Sequence, residues 1–408
     1  MSHQQITRRG LLAAGGAAVV GAAGGALVMR SVSESSETPM ADVNRPPVAN
    51  SVDRAKTYAF NGAHQAGVET PAQMYSTFLG LNLRERYAHK GEAVMRILTD
   101  DAERMMAGEP SLIDSDPDLA LNPAGLTITV GVGRDFFTAI GREDMLPEQF
   151  PEIPAFSTDA LDPYWDSTDL LVHVGSDDPV TLAHAVRVLT KDLSTLCSVE
   201  WVQQGFGAAG PANEGGTAGR NLMGQVDGTV NPQMGTVDFD QTVWLGDDGG
   251  WAAGGTVAVI RRIRMLMEDW DAMDRSAKEL AIGRSLDTGA PLGGSAETDA
   301  VDLDARDSNG LPLIPGNAHV RVAHANTPEE MILRRPFNYD AGFVDGKQDL
   351  GLIFAAYTKD PRKSFIPMQE RIASNDAFNR WNTTIGSSTY LILPGVEHGD
   401  YLASALFS

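Results

Sequence analysis

Asp169-Leu170-Leu171-Val172-His173-Val174, running into Gly175-Ser176-Asp177-Asp178-Pro179, is the stretch that decides the fold. Its first six residues are mostly apolar and read as a buried strand. Asp178 and Pro179 then read as a helix start. An aspartate accepts hydrogen bonds from the free N–H groups of a first turn, and proline has a pre-set φ and no N–H to leave unpaired there. Val180 to Leu193 carries the helix. The same arrangement returns much later, with Gly351 to Thr358 as the apolar strand, Lys359-Asp360-Pro361 as the cap and Arg362 to Ile372 as the helix. Copies so far apart are not a solenoid repeat, whose period is tens of residues. The pattern predicts an α+β fold built from two similar halves.

The other periodicities fill in both halves. In the first, Thr57 to Phe60 and Gly80 to Arg84 read as short strands. Glu92 to Met106 reads as a helix, with Ala93, Met95, Ile97, Leu98, Ala102 and Met105 at helical spacing. Leu126 to Val132 is a strand ahead of a helix from Arg134 to Gly141. In the second half, Gly255 to Met265 is a strand carrying Arg261, Arg262 and Arg264, and Glu268 to Ile282 is a helix. Gly283 to Gly316 shows little periodicity, and a loop of that length in a compact domain is usually functional or disordered. A strand is expected to start over Asn317 to Val322, a short one follows over Met331 to Arg335, Asn375 to Asn382 is helical, and Thr389 to Leu393 is a closing strand.

Between the halves lies Gly224-Gln225-Val226-Asp227-Gly228-Thr229-Val230-Asn231-Pro232. Gly224 and Gly228 admit dihedrals closed to other residues, and Asn231-Pro232 enforces an extended or turn conformation. One carboxylate, Asp227, is held between these signals. A lone Asp-Gly is more often a turn than a site, so its meaning depends on what else the chain supplies.

The chain has 408 residues, 42% hydrophobic and 21% charged, which suits a globular protein of two ordinary domains. Its formal net charge of −22 disfavours nucleic acid and anionic membrane surfaces, since like charges repel. Its single cysteine, Cys197, excludes an intramolecular disulfide, a cysteine-based metal site and covalent c-type haem attachment. Arg8-Arg9-Gly10-Leu11-Leu12 precedes an Ala/Gly-rich apolar run to Met29, the form of a twin-arginine export signal. An uncleaved anchor is the competing reading, against which stands the Gly and Ala content of the run. The expected organisation is a signal over residues 1–30, a disordered linker over 31–54, a first domain over 55–223 and a second over 224–408. The signal implies a periplasmic, cell-envelope or secreted protein, and this pathway carries proteins already folded around a cofactor.

Eight histidines are present. His3 lies in the signal, and His89, His184 and His398 fall on predicted surface positions without a role. His173 reads as core, His64 sits in a Gly loop within reach of a ligand, and His324 lies on the far side of a continuous strand from His319. No predicted helix carries His-x-x-x-His or Glu-x-x-His, there is no Gly-x-Ser-x-Gly elbow, and Gly131-Val132-Gly133 is a poor dinucleotide fingerprint. What remains is His319, Arg334 and Asp227. A lone histidine at such a place is more often structural. The three together fit a haem peroxidase, with one imidazole for the iron, one acid–base group to move a proton and one fixed cation for developing negative charge, but their spacing alone does not make that assignment.

Gly224 to Pro232 resembles the Gly-x-x-Asp-Gly signature of the dye-decolorizing peroxidases. Further similar segments run through most of the chain, among them His64-Gln65-Ala66-Gly67, Ala160 to Trp165, Asp169 to Leu189, Gly289-Ala290-Pro291-Leu292, Ala318-His319-Val320-Arg321, Ile332-Leu333-Arg334-Arg335 and Gly351 to Asp360. With its paired arginines, the chain is most similar to the exported subgroup that includes deferrochelatase/peroxidase proteins.

The resemblance implies duplicated ferredoxin-like domains, each an antiparallel sheet with peripheral helices, and one non-covalent haem b per chain in the C-terminal one. It assigns His319 as proximal iron ligand, Asp227 as distal acid–base residue and Arg334 as distal arginine, with Gly228 and Thr229 beside them at the cofactor. Asn379 is the aligned candidate for the carboxylate or amide that usually supports the histidine in this family, and an amide there is a weaker partner than a carboxylate. The implied substrates are hydrogen peroxide and organic electron donors such as dyes and phenolics, with an acidic optimum. Trp381, Tyr390 and Tyr401 are candidates for passing radicals to bulky donors, against a competing reading as packing residues. Deferrochelatase activity and a non-enzymatic haem-binding role in iron uptake are the alternatives, with iron-uptake partners and a homo-oligomer left open.

Overall fold

In the computed structural model, which describes residues 52–208, 210–211, 218–344 and 346–408, the apolar run ahead of Asp178 is a strand buried along its whole length. Asp178 Oδ1 accepts the N–H of Val180 at 2.8 Å and caps a helix that has Pro179 in its first turn. The second Asp-Pro pair works differently. Asp360 accepts both the backbone N–H and the guanidinium of Arg362, and its carbonyl accepts the Ser364 hydroxyl at 3.0 Å. This turn delays the regular helix to Phe365–Asn375. The export signal and all of the linker but Val52 to Arg54 lie outside the described residues. Among the described residues no helix is long and apolar enough to cross a membrane.

The elements run β1 (Tyr75–Leu83), α1 (Gly91–Met106), β2 (Thr127–Val132), α2 (Arg134–Ile140), β3 (Leu170–Ser176), α3 (Pro179–Leu193), β4 (Cys197–Phe206), β5 (Gly219–Arg220), β6 (Val226–Asp227), α4 (Val237–Val243), β7 (Thr256–Met265), α5 (Met267–Asp271), α6 (Arg275–Ile282), α7 (His319–Val322), β8 (Leu333–Arg334), β9 (Phe337–Val344), β10 (Lys347–Thr358), α8 (Phe365–Asn375) and β11 (Asn382–Ile392). Thr57 to Phe60 is irregular chain, not a strand. The helix expected over Glu268 to Ile282 is broken, because Asp274 accepts the N–H of Ala277 and starts α6 afresh.

Residues 51–408 make one compact unit. Its nine-stranded sheet has the order β7-β11-β2-β3-β1-β4-β9-β10-β8, and β10 also pairs with β7, so the sheet closes on itself. All of its ladders are antiparallel. The halves join through short seams, Leu391 and Ile392 on Val132 and Gly131, and Phe206 on Asn338. Closure removes the open edges that two separate sheets would expose. Within each half the neighbours follow one rule, β2-β3-β1-β4 in the first and β9-β10-β7-β11 in the second.

Both faces of the sheet carry apolar side chains, which is why its strands read as apolar runs. Phe78, Leu171, Ile260, Phe337, Ile353, Tyr357 and Tyr390 point to the inside and form a core shared by both halves. Outside the first half, Leu79, Leu81, Val130, Val172 and Val174 pack under α1 and α3. Outside the second, Met265, Leu350 and Leu352 are buried, but Ile263 and Phe354 are only half-buried. Here α6 and α8 pack chiefly on α7 and on the turns beside them instead of on the strands. This partly covered apolar face borders the site.

Candidate active site

Asp227 stands at the end of a short ribbon in which Gly219 pairs with Asp227 and Arg220 with Val226. The ribbon's turn is wound on Asn221, whose Oδ1 accepts the N–H of Met223 at 3.0 Å and of Gln225 at 3.1 Å. Beyond Asp227, Gly228 takes φ 117°, which L side chains rarely adopt. That bend lets Asn231 grip β8, where its Nδ2 donates to the Arg334 carbonyl at 2.7 Å and its Oδ1 accepts the Arg334 N–H at 3.0 Å. The amide thus replaces a missing strand partner. Arg334 Nη1 in turn donates to Asp227 Oδ1 at 2.8 Å. The pair is partly open, with side chains 17% exposed for Asp227 and 23% for Arg334.

His319 opens the single-turn helix α7, not the strand expected over Asn317 to Val322. The chain winds at once after Pro315, whose carbonyl accepts the N–H of Ala318 at 3.1 Å, and Ala318 then accepts from Val322 at 3.1 Å. His319 Nδ1 donates to Asp376 Oδ2 at 2.6 Å, and that carboxylate is fully buried. Asp376 replaces Asn379 as the partner. Its other oxygen accepts the N–H of Phe378 at 2.8 Å, so capping the 377–380 turn aims it at the imidazole. Asn379 faces away and donates to the Ile372 carbonyl at 2.7 Å. The available sequence signal was an acid at a helix stop, Asn375-Asp376-Ala377, close to the expected position.

Burial opposes a charge on His319, but the Asp376 carboxylate outweighs it and holds the imidazole above its ordinary pKa. Arg334 lowers and Asp227 raises the same group, which puts both within electrostatic reach of His319. The structure thus brings together His319, Asp227 and Arg334. Thr229 lies beside them with its hydroxyl committed to Glu297 Oε1 at 3.1 Å.

The other candidates are placed elsewhere. His64 stacks on Trp244 with ring centroids 3.8 Å apart and bonds the Gly254 carbonyl, so it belongs to the packing. His184 is not a surface residue; it is buried against Asp114. Tyr390 is fully buried and bonded to Thr168, which removes it from the surface. Trp381 packs edge-on to Trp270, and Tyr401 lies under Arg96 with its hydroxyl on Glu92.

The residues present fit a haem. Among the described residues no protein group bonds Nε2 of His319, and its side chain is 33% exposed. When the imidazole is neutral, its Nδ1–H on Asp376 leaves Nε2 as the lone-pair donor. Phe378 lies 5.4 Å from the imidazole and joins Leu222, Met223, Ile263, Leu352 and Phe354 in one apolar cluster. A flat apolar group needs such a wall, one axial nitrogen and polar groups near its opposite face.

Residues 65–207 match the family model described as Dyp-type peroxidase, N-terminal, and residues 218–397 match Dyp-type peroxidase, C-terminal. The chain is 37% identical to a dye-decolorizing peroxidase of Thermobifida fusca over 98% of its own length and 97% of the relative's. It is 32% identical to a deferrochelatase of Yersinia pestis, covering 90% of this chain and 88% of that one. The crystal structure of a DyP-type peroxidase from Cellulomonas bogoriensis superposes with a TM-score of 0.83 at 41% identity, covering 87% of this chain and 99% of that one. With both family models matched in order and a relative 37% identical over nearly the whole chain, the chain belongs to the Dyp-type peroxidase family.

Proposed function

We propose that Asp227, Arg334 and His319 form the centre at which this haem-dependent peroxidase reduces hydrogen peroxide, with Asp227 moving the proton and Arg334 balancing the charge. The observation that carries the assignment is the 2.8 Å bond from Arg334 Nη1 to Asp227 Oδ1, within electrostatic reach of His319. A bound haem would supply the redox chemistry, the exchange of electrons between peroxide and organic donors. His319 would hold the haem iron through Nε2, and its Nδ1–H to Asp376 fixes the ring orientation. Asp227 Oδ2 has no protein partner among the described residues and is the base that takes a proton from the near oxygen of peroxide. The same carboxyl returns that proton to the far oxygen, which leaves as water. A positioned acid–base group of this kind contributes about 10²–10⁴-fold in rate. The Arg334 guanidinium, held beside Asp227, would stabilise the charge that grows on the leaving oxygen, and one such donor is worth about 10²–10³-fold.

The test is the absorption spectrum of haem-loaded protein before and after one equivalent of hydrogen peroxide. Asp227→Ala and Arg334→Leu should each slow the peroxide-induced change by about 10²-fold or more. Wild-type rates in both would sink the assignment and leave a haem-binding protein. Metal-free porphyrin formed from haem without peroxide would favour the activity for which the deferrochelatases are named.

We also infer that the halves are copies of one ferredoxin-like unit, dividing near the Asp227 ribbon into 55–223 and 224–408. In support, β1-α1-β2-β3-α3-β4 and β7-α6-β9-β10-α8-β11 follow the same strand–helix order with equivalent neighbours. The two family models meet between residues 207 and 218. Export through the twin-arginine route to the periplasm, envelope or medium rests on Arg8-Arg9 and the apolar run behind them. Retention of an Arg8→Lys/Arg9→Lys variant in the cytoplasm tests it, and unchanged export would refute it.

A further inference from the structure

The long segment between α6 and α7 does more than connect them. Its first fifteen or so residues grip the ribbon that carries Asp227 at three places. At the turn end, the Arg220 guanidinium donates to the carbonyls of Leu286 and Asp287. In the middle, Gly289 lies so close to Val226 that a Cβ there would come within 2.8 Å of its methyl carbon. At the open end, Glu297 Oε1 accepts from both sides of the ribbon, the N–H of Ala218 at 3.2 Å and the hydroxyl of Thr229 at 3.1 Å. Ala218 directly precedes β5 and Thr229 follows Asp227 by two residues, so one carboxylate oxygen closes the end at which Asp227 stands.

Glu297 is buried, 5% exposed. Arg284 comes from the start of the same loop and donates to the carbonyls of Gly289 and Glu297. Burial lowers the pKa of Arg284, the Glu297 charge raises it and Arg334 lowers it, so Arg284 stands within electrostatic reach of both. The arrangement alternates in sign, with Glu297 beside Arg284, Arg284 near Arg334, and Arg334 on Asp227.

We propose that Glu297 is a positioning residue for peroxide reduction, fixing the Asp227 carboxylate relative to Arg334 by closing the open end of the ribbon through Thr229 and Ala218. The proposal rests on the role given to Asp227 above. Placement errors on the scale of an ångström cost on the order of a hundredfold in rate when a proton must move between defined atoms. Two short strands joined by two residue pairs cannot supply that rigidity alone, since isolated two-stranded ribbons are marginal in water.

Stopped-flow mixing of haem-loaded protein with peroxide tests the proposal, alongside amide exchange of residues 218–231 in the haem-free protein. Glu297→Ala should slow the peroxide step by about tenfold to a hundredfold. It should leave the later reactions with organic donor unchanged and speed exchange of the ribbon amides. Glu297→Gln keeps a carbonyl oxygen that can accept both bonds while removing the charge beside Arg284, and should restore the exchange to wild type and recover most of the rate lost in Glu297→Ala. Thr229→Val removes one of the two bonds while keeping the shape, and should fall between. Wild-type peroxide rates in Glu297→Ala overturn the proposal, as does a Glu297→Gln variant as slow as Glu297→Ala. If Glu297→Ala fails to load haem, a wild-type rate and exchange pattern in Thr229→Val overturn it equally. Asp227→Asn is run in parallel. If it reacts like wild type, the role of Asp227 itself fails; if it is slow while Glu297→Ala is not, only the positioning role does.

Discussion

Asp376→Asn is the most discriminating perturbation of the haem-binding side. The carboxylate is fully buried and serves two donors, His319 Nδ1 at 2.6 Å and the Phe378 N–H at 2.8 Å. An asparagine offers one carbonyl oxygen in place of two carboxylate oxygens. If that oxygen keeps the Phe378 cap, the new NH₂ faces the imidazole, and donor meets donor. The imidazole then either loses its bond or shifts its proton to Nε2, the nitrogen proposed to meet iron. Loss of such a supporting partner typically costs 10–100-fold in metal affinity, about 1.4–2.8 kcal/mol. Titrating haem-free protein with ferric haem at the Soret band should show that loss. The ferric/ferrous potential should rise, because a less basic imidazole stabilises ferric iron less. Asn379→Ala is the control, since its side chain is tied to Ile372 and not to His319. Wild-type affinity and potential in Asp376→Asn, or equal losses in both variants, would refute the assignment.

Two further outcomes concern stability. Burial pushes Asp101 up to about 6, against the bond from Ser111 and with help from nearby Asp192 and Asp100. Its folded pKa exceeds its unfolded one, so the protonated group stabilises the fold below about pH 4, and that contribution is lost as pH rises through about 6. Asp101→Asn should match wild type at pH 4 and gain up to about 3 kcal/mol by pH 8 in urea unfolding; a gap independent of pH would contradict this. Arg261 and Asp159 are paired with side chains 1% and 2% exposed. Asp159→Asn leaves that guanidinium uncompensated and should cost about 3–5 kcal/mol, while Arg261→Met with Asp159→Leu should recover most of it. A single variant within about 1 kcal/mol of wild type in the same unfolding assay would count against it.

Part of the fold was legible because the apolar run of β3 ends in helix-starting chemistry that needs no tertiary context, whereas the matching Asp360-Pro361 after β10 forms a turn that delays the helix to Phe365. β4 was not legible. Its inward positions include Gln203, whose amide oxygen accepts Arg262 Nε at 2.6 Å, so polar residues sit where alternation calls for apolar ones. The break between α5 and α6 hid behind a continuous helical periodicity, which Asp274 overrides by capping. At the site, the residue types of His319, Asp227 and Arg334 could be read from motifs. Their assembly depends on Asn231 and Gly228, whose only sequence signal is a turn. Asp376 and Asn379 lie within one turn of each other, and only the capping geometry decides which one faces the histidine.

The same strand order produces a covered face in one half and a binding face in the other, and the difference lies in the helices. In the first half α1 and α3, of 16 and 15 residues, lie on the strands and bury Leu79, Val130 and Val172 completely. In the second, α6 and α8 have only 8 and 11 residues and pack chiefly on α7 and neighbouring turns. The chain that a longer helix would have used runs instead through the loop after Ile282, which grips the Asp227 ribbon. Shortening the cover therefore does two things together. It leaves Ile263 and Phe354 half-buried for a flat apolar group, and it frees backbone to hold a carboxylate near that group. A half-covered sheet forgoes hydrophobic stabilisation of roughly 25 cal/mol per Å² of apolar area left open, which a haem bound at the proposed site would restore by covering it. Haem should then raise the stability of the second half more than that of the first, an asymmetry that hydrogen exchange with and without haem would resolve strand by strand.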